Sequence, residues 1–190
     1  TLGCTDHFHV GPEIARKIVE HRGIELSLEE IQNLARDFLS HANETIEALR
    51  TNLCEKYGLP EDTSAPDVQH YLNQHYRLEL GAKGLEGILD RYQEERQKVL
   101  GFIKGRDLFP IFEDQDMTIL RTPGFLAPSI PAGAMVSPPP LREGVRRSLV
   151  YLTLSEELRD EHTEISIPIM MVHEGIPGHH LQLAWASTHP

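Results

Sequence analysis

The sequence predicts a mainly helical α+β protein in which long helices come first and a few short strands precede a last, interrupted helix. Three observations predict this class. Apolar residues recur at three- and four-residue steps through most of the first half of the chain. Six of the 13 prolines lie between Pro123 and Pro140, a density that regular helix does not tolerate. Helical spacing then returns from Glu161 towards the end of the sequence.

The first predicted helix is short and has a clear stop. Val10, Ile14 and Ile18 recur every four residues, which places them on one face of a helix. Gly23 follows, where a residue that readily adopts a left-handed conformation is expected to end the helix.

Three further helices are predicted before the proline-rich stretch. Ser27 and Glu30 have the spacing of a capping box, and apolar steps continue from there to Gly58, which predicts one long amphipathic helix. Pro66 suits the first turn of a shorter helix. After Gly84, apolar residues again recur at helical spacing, with charged residues on the opposite face of the predicted helix.

The proline-rich stretch is predicted to be extended loop with short strands. The candidate strand pieces are MTIL and AMV, and the run SLVYLTL is β-branched and apolar enough for a longer strand. We therefore divide one continuous region, residues 1–190, into a helical bundle part, a part of loops and short strands, and a kinked helix. Their predicted bounds are 1–106, 107–160 and 161–190.

Composition and charge exclude several classes of protein. A formal charge of −11 argues against nucleic-acid binding, which needs clustered Lys and Arg. No apolar run is long enough to span a bilayer. Cys4 and Cys54 are too few for a disulfide framework and are expected to be unpaired. Compartment stays open between cytoplasmic and periplasmic or lipid-anchored, and the oligomeric state stays open as well.

The stretch HEGIPGHH carries the strongest chemical signal. In the HExxH pattern, two histidines four residues apart reach one Zn²⁺ from one helix face, and the glutamate accepts a proton from the zinc-activated water. Here His173 and Glu174 are followed by histidines at six and seven residues, His179 and His180. On an unbroken helix, neither could share an ion with His173, since His179 would point about 120° away from it and His180 would lie about 10 Å further along.

The residues between the histidines predict a solution to this spacing. Pro177 cannot donate to the carbonyl of His173, so a regular helix must kink or bulge there. Gly175 and Gly178 supply the backbone freedom that a bulge needs. His179 would then return to the place of the second histidine in HExxH. The alternative is a helix that starts at Pro177 and carries two surface histidines.

This stretch also carries a resemblance to a known family. HEGIPGHHLQ resembles the HExxPGHHLQ signature of DUF885, a bacterial family that itself resembles zinc metallopeptidases of the gluzincin kind. The segments SPPPLREGVRRSLVYLTL and GPEIARKIVEHRGIE are similar to further parts of that family. The resemblance implies a helical zincin-like catalytic region, zinc as cofactor and a peptide substrate. It also implies His173 and His179 as metal ligands, Glu174 as general base, and His180 as an alternative ligand or a supporting group.

The resemblance implies a third ligand that this sequence lacks. The family continues into a segment similar to EGWALYAE, in which a glutamate is the expected ligand, and the sequence stops at Pro190 before it. We therefore expect these 190 residues to be a fragment that binds zinc weakly or not at all. Glu164 lies too far from His173 along a helix to substitute for that ligand.

Two other functions stay open at this point. A metal-dependent hydrolase of other amides or esters has the same motif spacing as a peptidase. A helical binding or structural module without catalysis is the other alternative, in which HEGIPGHH only joins two helices.

The remaining candidate residues are weaker. Arg142, Arg146 and Arg147 could bind a substrate carboxylate, although a solvated basic turn explains them equally well. Tyr151 could donate to an oxyanion. Four other histidines are expected to be ordinary packed or surface residues: His7, His9, His70 and His75.

Overall fold

The computed structural model describes residues 9–111, 115–137 and 146–187, and the chain forms two compact units. The first unit comprises Thr1–Gln69 and the second comprises His70–Pro190. A mainly helical α+β class with a small sheet is confirmed. The division at residues 106 and 160 stays a prediction.

The first unit consists of helices whose ends follow the predicted signals. Helix α1 spans Gly11–His21 and helix α2 spans Leu28–Tyr57, while α3, Ala65–His75, crosses the boundary between the units. Both hydrogen bonds of the predicted capping box at the start of α2 are present, at 2.8 and 3.2 Å. Gly23 and Gly58 adopt positive φ angles of 68° and 64°, as expected for left-handed helix stops.

One arginine of α2 connects this helix to the loop before α3. The Arg50 guanidinium donates to the carbonyl oxygens of Glu61, at 2.6 Å, and Thr63, at 3.1 Å. Cys54, one helical turn further along, is buried and its thiol is free, as predicted. Cys4 lies outside the described residues.

The second unit places one long helix beside a three-stranded sheet and an interrupted C-terminal helix. Helix α4 spans Gly87–Arg106 and follows a 3₁₀ turn, Gly81–Glu86. The strands are β1, Gln115–Arg121, β2, Gly133–Val136, and β3, Arg146–Leu152. Two short 3₁₀ turns lie at Ala127–Ser129 and Arg159–Glu161. Helices α5, Ser166–Met170, and α6, His179–Ala186, are separated by a π-helical segment, Met171–Gly175.

The sheet confirms the predicted strands and has β3 at its centre. The strand order is β1-β3-β2, with β1 parallel and β2 antiparallel to β3. Side chains alternate between the faces of a strand, so Ser148, Val150 and Leu152, all fully buried, share one face. That face is packed with apolar residues from the helices. The main buried cluster consists of Leu78, Ile88, Tyr92, Met117, Ile119, Val150, Leu152, Leu154, Ile167 and Met171.

The prediction that helix begins at Glu161 is wrong, because α5 begins at Ser166. The intervening chain pairs with a distant segment instead. Thr163 forms an isolated antiparallel bridge with Arg77, and the Glu164 N–H donates to the Tyr76 carbonyl at 3.0 Å. This pairing uses the main-chain groups that would otherwise bond within a helix. The chain is therefore not helical before Ser166, although its apolar residues have helical spacing.

A buried histidine lies at this junction. His162 is 1% exposed, and its Nε2 lies 3.2 Å from the Thr153 carbonyl oxygen. Because a carbonyl only accepts, Nε2 carries the hydrogen, and Nδ1 accepts from the Tyr92 hydroxyl at 3.1 Å. Burial lowers the pKa of His162 below its ordinary value of 6.5.

We therefore expect acid to destabilise the protein through His162. The pKa of His162 is lower in the folded state. Its contribution to the free energy of unfolding is therefore fully present above about pH 6.5 and is lost as the pH falls towards the folded pKa. In that window the unfolding free energy should fall with a slope of up to about 1.4 kcal/mol per pH unit. Urea unfolding between pH 5 and 8 measures the slope. A His162→Gln protein should show a shallower slope, and equal slopes would contradict the assignment.

Candidate metal centre

The motif lies where the chain passes from α5 to α6, and the helix is interrupted there. The Ile176 N–H bonds the Met171 carbonyl at 3.2 Å, five residues back, so the turn is wider than in an α-helix. Ile176 is extended and is joined to Pro177 by a cis peptide bond, after which α6 begins at His179. A straight helix through Pro177 is therefore excluded.

Other atoms approach both glycines of the motif closely, and at Gly178 these atoms belong to the backbone. A Cβ on Gly178 would lie 2.0 Å from the His173 carbonyl oxygen and 2.3 Å from that of Val172. A Cβ on Gly175 would lie 2.8 Å from the Met171 sulfur. The chain can therefore fold back against its own preceding turn because Gly178 has no side chain, whereas a side chain at Gly175 would have to displace methionine side chains.

This turn brings the two separated histidines together. The imidazole centroids of His173 and His179 lie 4.7 Å apart, with the rings at 83° to one another. On a regular helix, six residues correspond to a rise of about 9 Å. Each of His173, Glu174 and His179 offers one ligand atom, and these atoms all lie within 4.8 Å of one another.

Glu174 is held differently from the two imidazoles. Its Oε2 accepts the Met135 N–H of β2 at 3.1 Å, and its Oε1 lies 3.9 Å from Nε2 of His173. The side chain of Glu174 is 15% exposed, whereas that of His173 is 66% exposed. The carboxylate is thus fixed against the sheet edge while both imidazoles remain open to solvent.

The donor set of this cluster fits a zinc ion. Imidazole and carboxylate are the ligands of catalytic zinc, with Zn–N bonds of about 2.0–2.1 Å. Tetrahedral ligands at that distance lie about 3.4 Å apart, so modest rotation of two exposed imidazoles brings them into range. Among the residues that the structure describes, His173, Glu174 and His179 form the group of three potential ligands whose donor atoms lie this close together.

A cavity adjoins the two imidazoles. Its volume is about 860 Å³, and most of its lining side chains are apolar. The residues that line it are Pro168, Ile169, Val172, His173, Pro177, Gly178, His179 and Gln182.

His180 is not part of the cluster, although it follows His179 directly. It is fully buried, with Nδ1 2.7 Å from the Ser148 Oγ and Nε2 bonded to the Gln115 Oε1. Burial, reinforced by the charge of Arg96, lowers the pKa of His180 to about 4. Both of its nitrogens therefore already have protein partners in the neutral state.

Of the other predicted site residues, Arg147 and Tyr151 have described side chains. Arg147 pairs with Asp116 at 3.3 Å. Tyr151 lies one residue after Val150, so it projects from the opposite face of the sheet to Ser148. Arg142 lies outside the described residues, and Arg146 begins β3 with no description of its side chain.

The histidines expected to be ordinary follow no common pattern. His75 packs against the rings of Tyr71 and Tyr76, at 5.6 and 4.9 Å. His9 and His70 are exposed, and His7 lies outside the described residues.

Glu164 is also excluded from the cluster. Its carboxylate pairs with Arg91 of α4 at 2.6 Å.

Three contributors to the site were missed in the sequence. Ser148 and Gln115 bond His180, and the Met135 main chain bonds Glu174. A serine opening the apolar run SLVYLTL was the one available signal. A main-chain donor such as the Met135 N–H has no signature in a sequence.

Fold and site together define a mainly helical α+β protein with a His-Glu-His cluster suited to a metal ion. The chain belongs to the family described as "Bacterial protein of unknown function (DUF885)", whose model matches residues 6–190. No curated protein matches it.

A solved structure shares the fold. It is "The crystal structure of the putative lipoprotein from Colwellia psychrerythraea", similar with a TM-score of 0.68 and 16% sequence identity. The similarity covers 92% of this chain and 30% of that protein, so this chain spans under a third of its length. Among the described residues, no helix has both the length and the apolar character needed to cross a bilayer.

Proposed function

We propose that the protein is a zinc-dependent hydrolase of peptide bonds with a zincin-like catalytic region. The observation that carries this proposal is the convergence of His173 and His179 beside Glu174 across an interrupted helix. Six-residue spacing is unsuited to a shared ion on a regular helix, so the turn restores the arrangement that HExxH provides.

The chain's own residues have distinct roles in this proposal. His173 and His179 hold the ion, which when bound supplies an acidified water and a Lewis acid. Glu174 is the general base, since Met135 holds one carboxylate oxygen and leaves Oε1 directed towards the ligands. Catalytic zinc generally has three protein ligands, and we propose that the third is a carboxylate elsewhere in the full-length protein.

The position of β2 supports a peptide as the substrate. The Met135 N–H points away from β3 towards Glu174, and alternate residues of an antiparallel strand turn their main-chain groups to the same side. Gly133 and Met135 therefore both face the outer edge of the sheet. An extended peptide that pairs with the Gly133 main chain at this edge would pass beside Glu174, which occupies the Met135 N–H.

We expect peptide hydrolysis that depends on zinc. Full-length protein incubated with a mixture of unstructured peptides should cleave them, since the cluster presents a base and two ligands at an open cavity. A chelator should reduce the rate at least about 100-fold, and added zinc should restore it. Mass spectrometry of the products measures cleavage. Zinc binding with cleavage of esters alone would indicate another hydrolase, and absence of zinc binding would favour a non-catalytic module.

A further inference from the structure

His180 is the residue of the motif that the proposed function leaves without a role. It is fully buried, whereas its neighbour His179 is exposed at the cavity. Successive residues of a helix point about 100° apart, so α6 directs His179 towards the metal position and His180 into the protein.

The partners of His180 come from two strands but project from one face of the sheet. Met117 of β1 pairs with Ser148 of β3 in the parallel register, so their side chains lie on the same face. Gln115 precedes Met117 by two residues and therefore shares that face. One imidazole thus bonds the central strand through Ser148 and an edge strand through Gln115.

The first turn of α6 is fixed by few side chains, namely Leu181, which is buried in a cluster with Ile103 and Ile176, and His180. Helix α6 is only eight residues long, and no side chain caps its N-terminus. The preceding Gly178 is the point at which the chain reverses, close against the carbonyl oxygens of Val172 and His173. His179 is the first residue of this helix, so its direction depends on what fixes the first turn, and His180 is in that turn.

We propose that His180 is a positioning residue that fixes His179 against the ion held by His173. By bonding Ser148 and Gln115, it attaches the first turn of α6 to the sheet and sets the direction of the neighbouring ligand. The inference rests on the proposed metal function and assigns His180 a structural role in ligand geometry rather than a place on the ion.

The test compares two variants that remove the same kind of hydrogen bond. Ser148→Ala removes the hydroxyl bonded to Nδ1 of His180, and Tyr92→Phe removes the hydroxyl bonded to Nδ1 of His162. Both hydroxyls belong to buried residues, and the second bond lies outside the motif. Zinc affinity of each full-length variant is measured by competition with a chromophoric chelator.

Ser148→Ala is expected to weaken zinc binding about tenfold, since loss of groups that orient ligands costs 10- to 100-fold in affinity. Tyr92→Phe is expected to stay within about twofold of the wild type. At saturating Co²⁺, both variants should give the wild-type absorption spectrum, because a positioning residue changes occupancy and not the ligand set. If Ser148→Ala does not fold, Gln115→Met removes the bond to Nε2 and should weaken binding similarly.

Two outcomes would overturn the inference. One is wild-type zinc affinity in Ser148→Ala or Gln115→Met. The other is a loss of zinc affinity in Tyr92→Phe as large as that in Ser148→Ala. A wild-type protein that binds no zinc would instead refute the proposed function itself, so the two failures are distinguishable.

Discussion

Replacing Glu174 with glutamine is expected to lower the rate of peptide hydrolysis about 10³-fold while leaving zinc binding nearly unchanged. The amide has the shape of the carboxylate, and its oxygen can still accept the Met135 N–H. It cannot accept a proton at neutral pH, and a general base contributes about 10²- to 10⁴-fold to such reactions. Steady-state kinetics on a cleaved peptide, with zinc content measured in parallel, checks both parts.

The matched control for this variant is Glu164→Gln. Glu164 belongs to the same unit but pairs with Arg91 on the protein surface, away from the cluster. Its exposed ion pair should contribute little to stability, so the activity and zinc content of this variant are expected to match those of the wild type. Wild-type turnover in Glu174→Gln would remove Glu174 from the mechanism.

Replacing Gly178 with alanine is expected to disrupt the metal centre by opening the turn. The added Cβ would lie 2.0 Å from the His173 carbonyl oxygen, a contact that only backbone movement can relieve. Such overpacking typically costs about 1–3 kcal/mol of unfolding free energy. Because the movement displaces His173 from His179, zinc affinity should fall at least about 100-fold, measured by the same chelator competition.

Gly101→Ala is the control for glycine replacement. Gly101 lies within α4 and has no atom within 4 Å of an added Cβ. Alanine favours helix over glycine, so this variant should be more stable by about 0.5–1 kcal/mol and bind zinc normally. Unchanged zinc affinity in Gly178→Ala would show that the close approach at this turn is not required for the site.

Features encoded locally were predictable from the sequence. The capping box of Ser27 and Glu30 and the left-handed Gly58 involve residues a few positions apart, so their patterns specify the ends of α2. The interrupted helix was predictable for the same reason, because Pro177 removes a donor from its own turn.

Features that depend on distant residues were not predictable. Helical spacing from Glu161 gave way to the pairing of Thr163 with Arg77, 86 positions earlier. The place of His180 depends on the parallel pairing of β1 with β3, which brings Gln115 and Ser148 to one face. Spacing within the motif contains no information about that sheet, so the sequence left His180 open between an alternative ligand and a supporting group.

The proposed function depends on one ion that His173 and His179 hold together across the turn. Zinc content of the full-length protein, measured by elemental analysis after equilibration with limiting free zinc, tests this claim most directly. We expect about one zinc per wild-type chain and near-complete loss in both His173→Ala and His179→Ala, since each removes a ligand of the same site. Wild-type zinc content in either variant would contradict the claim.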